Sequence, residues 1–143
     1  MKPTHALVCH ERWARLICEG EKTWELRGVS TSKRERIAIA QSGSSKLVGE
    51  VTIVDSVKIA EKQPDGSYKS CLPLPLGKFV KYHCVSDLSI INYASLFAWV
   101  LTEPHLYESP RPYQHKKGAV IWVSLTDCAK GPGKVLKKRK VRK

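Results

Sequence analysis

The sequence predicts a mostly-β α+β fold: a small β-barrel with one or two flanking helices. Three observations carry the prediction. A helical apolar period over Glu11–Glu19 stops at Gly20 and runs at once into a strand. Short apolar stretches separated by turn-forming residues follow. One of them, Leu47–Val57, is apolar on both faces, as a strand curled into a barrel is.

The elements follow in order. Ala6–Cys9 reads as a first strand. In the helix, Trp13, Leu16 and Ile17 recur at i, i+3 and i+4 while Arg12, Arg15 and Glu19 project outward. Trp13 then packs the helix on the barrel, and Trp24 joins the core. Gly20 supplies the positive φ that ends a helix. In the next strand Thr23, Glu25 and Arg27 share one face, and Trp24 and Leu26 share the other. Strands are expected at Arg36–Ala40 and Leu47–Val57, joined by the small polar loop Gln41–Lys46. Lys62–Ser67 is a turn, and the proline-interrupted stretch Lys69–Val85 fits no single element. Asp87–Tyr93 starts a short helix with Ser86 as its N-cap. Ser95–Thr102 and Ala119–Leu125 are the last strands, connected by a loop, Glu103–Lys117, that carries Pro104, Pro110 and Pro112.

The chain has 143 residues, 42% of them hydrophobic, enough for one domain with a respectable core. No apolar run approaches the ~20 residues that cross a bilayer. The first residues lack a signal-peptide hydrophobic region, so the expectation is an intracellular, cytoplasmic monomer, or a nuclear one in a eukaryotic source. Five cysteines form no CxxC, and the neighbours Cys9–His10 and His83–Cys84 point to opposite faces of a strand. Reduced thiols, no metal and no cofactor are therefore expected.

Charge is unevenly placed. Residues 130–143 hold eight of the 25 basic residues and no acidic one, leaving 17 against 13 elsewhere, a net of +4. The division is a folded domain at 1–129 and a basic tail at 130–143, expected to be disordered when free. Lys137, Lys138, Arg139 and Lys140 in that tail suit phosphate neutralisation and also resemble a nuclear-import signal.

The charges nearest a rigid turn are Lys22, Glu25 and Arg27, where Gly20 fixes the chain. They suit a ligand site and equally a structural ion pair. Ser42 lies in a loop whose small residues admit a ligand to backbone N–H groups. Arg111, Tyr113 and Lys117 lie in the proline-containing loop, whose aromatic and basic residues suit stacking on bases and contact with phosphates.

Ala6–Cys9, Trp13, Leu16-Ile17, Gly20, Lys22 and Glu25-Leu26-Arg27 together resemble the signature of ASCH domains. Ile37–Ala40, Gly49–Asp55, Phe97–Leu101 and Lys117–Trp122 are similar to that family's later strands, so the resemblance covers residues 4 to 125. It implies a PUA-like barrel with a groove beside the first helix for RNA, DNA or a nucleotide-like ligand. Some relatives are ribonucleases, and small bacterial ones deacylate modified cytidine with a lysine, a threonine and a distant glutamate. Lys22 falls on that lysine, but Glu25 stands where the threonine would be, and Thr23 is one position after the lysine rather than three. The reading is an RNA- or nucleotide-binding domain in which Lys22, Glu25, Arg27, Ser42, Arg111, Tyr113 and Lys117 contact ligand. Its alternative is a metal-independent ribonuclease or nucleoside amidohydrolase using Lys22 and Glu25 as acid and base.

Overall fold

The computed structural model describes residues 2–125. The basic segment with Lys137, Lys138, Arg139 and Lys140 lies outside the described residues. The order is β1 (His5–Cys9), α1 (Glu11–Glu19), β2 (Trp24–Arg27), β3 (Arg36–Gln41), β4 (Lys46–Lys62), β5 (Tyr68–Ser70), α2 (Val80–His83), β6 (Ser95–Pro112) and β7 (Trp122–Ser124). Short 3-10 turns at Leu76–Phe79 and Leu88–Ile90 flank α2.

All strands join one sheet in the order β2-β6-β4-β3-β1-β7, with β5 paired to β4. β1 and β3 run parallel, and the other pairs are antiparallel. The long β4–β6 ladder shifts register at four places, and each shift bends and twists the pair. The bent ladder thereby serves three apolar clusters, two of which border the site. On one, Leu7, Ile37, Ile39, Val51 and Ile53 pack under Ala14 and Ile17 of α1. On the other, Leu26, Ile59, Leu96 and Ala98 pack beneath the segment that includes Val85. Each fully buried aliphatic side chain contributes roughly 1.5–3 kcal/mol.

The expected barrel does not close. β2 and β7 form the two ends of the sheet and are not paired. Instead of a ladder to β7, the Arg27 side chain on β2 reaches the Val8 carbonyl on β1, the strand next to β7, at 3.0 Å. Trp13 of α1 packs against both cores at that gap.

Three further expectations are corrected. β6 continues through Pro112, so most of the predicted proline loop is strand. Two of its prolines are tolerated because the ladder breaks there: no pair is formed by Pro104, which follows Glu103 at φ 52, or by Pro110, while Pro112 pairs with Lys46 as the strand's last residue. The 87–93 segment is a 3-10 turn capped by Asp87, whose side chain accepts from the Ser89 amide, rather than a helix capped by Ser86. Trp24 packs against the second core but is only half-buried there, stacked on Phe79 and Tyr82 with centroids 5.4 and 5.0 Å away.

Candidate functional site

The site begins at the end of α1. Gly20 sits at φ 90, and the amides of Glu21 and Lys22 both donate to the Leu16 carbonyl. That turn points Lys22 inward before β2 begins. Strand parity does not apply to Lys22, since the strand starts at Trp24, and its ammonium therefore lies 3.8 Å from Glu25 Oε1.

Within β2 parity does apply, and Glu25 and Arg27 share a face. Arg27 Nε and Nη2 lie 2.9 and 2.8 Å from Glu25 Oε2. Nη2 also contacts Cys9 Sγ at 3.7 Å. Glu25 thus stands between two cations, giving a cluster of net charge +1 with all three groups ionised.

Lys22 is 1% exposed. Its ammonium donates to the His83 carbonyl and lies 4.7 Å from the Trp13 ring centroid, a cation–π contact. Burial pushes its pKa below the ordinary lysine value, against the opposing pull of Glu25. Burial, reinforced by Glu25, raises the Cys9 thiol well above its usual value, so Cys9 stays protonated and is a poor nucleophile. His83 is fully buried, and its Nδ1 accepts from the Val85 amide at 3.0 Å. Burial and the nearby Lys22 bring its pKa down to about 4, so the ring is neutral with its proton on Nε2. That nitrogen has no hydrogen-bond partner among the described residues.

The charged cluster, but neither Cys9 nor His83, borders a cavity of about 430 Å³ between α1, β2 and the chain from Val85 to Tyr93. Lys22, Glu25 and Arg27 line it together with His10, Trp13 and Tyr93. His10 caps α1, its Nδ1 accepting from the Arg12 amide at 3.0 Å, so a neutral ring carries its proton on Nε2. Tyr93 arrives from the irregular segment, which the Tyr68 hydroxyl holds by donating to the Tyr93 carbonyl at 2.6 Å. Arg27, with a side chain 13% exposed, is the most accessible of the three charged groups.

Ser42, Arg111, Tyr113 and Lys117 do not line this cavity. Ser42 is exposed, and its amide donates to the Cys9 carbonyl. Arg111 lies over the Tyr107 ring at 3.7 Å. Tyr113 packs with the cluster of Ala6, Ala38, Ala40, Leu47 and Tyr107, on the sheet face away from α1. Lys117 is exposed in the turn at Gly118. The structure thus brings three of the predicted residues together and holds four elsewhere. It adds His10, Trp13 and Tyr93, of which the sequence assigns Trp13 to packing alone. His10 gives no signal because histidine is an unusual cap, and Tyr93 lies in a segment placed by tertiary contacts.

Among the described residues no group of three or more His, Cys, Asp and Glu side chains is arranged to hold a metal ion. No helix among them is long and apolar enough to cross a membrane.

The ASCH domain model matches residues 7–135. A crystal structure of ASCH from Zymomonas mobilis is similar at 15% identity and TM-score 0.52, covering 71% of this chain and 68% of that one. A serine-to-alanine mutant of ZmASCH from the same organism is similar at 13% identity and TM-score 0.61, covering 87% and 91%. At those identities the likeness speaks to the fold. A comparison with curated protein sequences finds no match.

Proposed function

Because the chain belongs to the ASCH domain family, which is associated with RNA binding, we propose that it binds single-stranded RNA or a nucleotide in the cavity beside α1. One observation carries the reading: Arg27 and Lys22 converge on Glu25 in the wall of a concave site that the open sheet leaves beside the helix. Arg27 contacts phosphate, Glu25 holds Arg27 in position, and the Tyr93 and Trp13 rings offer surface to a base. The basic segment 130–143 adds grip without sequence information.

Fluorescence anisotropy of a labelled short single-stranded RNA tests this. Arg27→Gln is expected to weaken binding about tenfold or more, the loss of a charge-assisted contact. Tyr93→Ala, which leaves the ion cluster intact, is expected to weaken it as well. Native affinity in both folded variants contradicts the proposal.

A second reading has a specific observation in its favour. A buried lysine with a depressed pKa beside a carboxylate is suited to proton transfer in a metal-independent hydrolase. Amidohydrolase chemistry with a threonine nucleophile is disfavoured, because Thr23 does not line the larger cavity, and the one it shares with Lys22 holds only about 100 Å³. RNA that stays intact on a denaturing gel, with EDTA present, excludes the ribonuclease form. Cleavage lost in Lys22→Ala supports it.

A further inference from the structure

A second chamber of about 600 Å³ adjoins the first, and Arg27 and Tyr93 line both. Its character differs. Trp99, Trp122, Val29, Val120 and Ile121 form its walls, with Ser30 and Thr31 as polar points. The two indoles lie nearly parallel, with centroids 5.9 Å apart. The Trp99 N–H is committed to the Val29 carbonyl at 2.9 Å and its ring is buried, so it backs the half-buried Trp122, which gives the chamber its aromatic surface.

Apolar exposure concentrates here. Val29 (59%), Tyr93 (40%), Val120 (75%) and Ile121 (42%) are half of the eight large hydrophobic residues left exposed among the described residues. A solvated apolar patch rimmed by polar groups marks an interaction surface. Cations flank it. Arg27 stands at the junction of the chambers, and its described hydrogen bonds run from Nε and Nη2, leaving Nη1 without a described acceptor. The Lys33 ammonium lies 5.1 Å from the Trp122 ring centroid and 3.9 Å from Glu35 Oε1, a partly exposed pair that a phosphate can displace.

An apolar, aromatic slot with a cation at each side complements a planar base between two phosphates. Resting on the assignment of nucleotide binding to the first chamber, we infer that the second chamber holds the neighbouring nucleobase, with the linking phosphate at Arg27. The ligand class is then a single strand of at least two nucleotides rather than a mononucleotide. Gly28 makes the junction: a Cβ there would come within 2.6 Å of the Tyr93 ring, so the absent side chain lets Tyr93 lie between the chambers.

The test is calorimetric titration of the full chain with AMP and UMP, and with the 5′-phosphorylated dinucleotides of adenosine and uridine. Stacking and one more phosphate contact are expected to make the better dinucleotide bind about tenfold or more tightly than its mononucleotide. The Val29→Glu/Val120→Glu double variant places carboxylates at two exposed positions, where folding is not at risk. It is expected to lose that advantage and to keep mononucleotide affinity. Equal affinities in the wild type, or an advantage that survives in the double variant, overturn the inference and leave the first chamber's assignment intact. A mononucleoside with an apolar N-acyl group that gains affinity where the dinucleotides do not overturns it in favour of an apolar substituent. No binding by any of these ligands overturns the nucleotide assignment as well.

Discussion

Lys22 is held charged or neutral by two opposed effects. Removing an ammonium from water is costly, and the nearby carboxylate with one carbonyl contact does not fully offset the cost. The folded state therefore binds its proton less tightly than the unfolded chain does. Between the lowered folded value and the unfolded value of about 10.4, the unfolded state holds more protons, so stability rises with pH across that window. Lys22→Met removes the titration and keeps the shape. At pH 7 this variant is expected to lie within about 1 kcal/mol of wild type or above it, as apolar replacements of buried charges often do. Urea denaturation from pH 7 to 10 should then show wild type gaining on the variant. A constant difference, or one moving the other way, shows that burial does not dominate at this lysine. The same residue shows the limit of pattern reading. Glu25 and Arg27 were legible as neighbours because period two fixes their common face. The position of Lys22 was not, since it precedes the strand, and three amide contacts around the helix stop decide where it points.

Elements carry the site through their ends rather than their middles. The helix over Glu11–Glu19 was legible to the residue from its apolar period and its glycine stop. Gly20→Ala puts a Cβ at φ 90 and 3.1 Å from the Pro104 side chain. It is expected to cost about 1–2 kcal/mol in chemical denaturation and to loosen the positioning of Lys22. A variant of unchanged stability would show that the helix end tolerates another geometry. The length of β6 was hidden because prolines signal a loop, whereas here Pro104 and Pro110 fall at breaks in the ladder. Tyr93 was hidden for a different reason. Its segment has no regular period, and the hydroxyl of Tyr68, 25 residues earlier, sets its place.

At the scale of the whole molecule, the open sheet is the decisive feature. Barrel closure depends on whether two distant edges meet, which local patterns do not encode. Here β2 and β1 are joined by the Arg27 side chain, and the cavity lies at that junction. We propose a separate, nucleic-acid-gripping role for residues 130–143, which carry two-thirds of the net +12. Removing them is expected to weaken single-stranded RNA binding and to flatten the slope of log K against log salt, while the cavity's own ligand affinity persists. An unchanged slope would mean that this segment does not touch RNA. The central claim, that the ligand occupies the cavity holding Lys22, Glu25 and Arg27, is tested most directly by a titration of the isotopically labelled full chain with a dinucleotide, followed by NMR. The account predicts shifts concentrated at His10, the Trp13 indole, Glu25, Arg27 and Tyr93. Shifts confined to Ser42, Arg111, Tyr113, Lys117 and the basic segment, with the cavity residues unmoved, would contradict it.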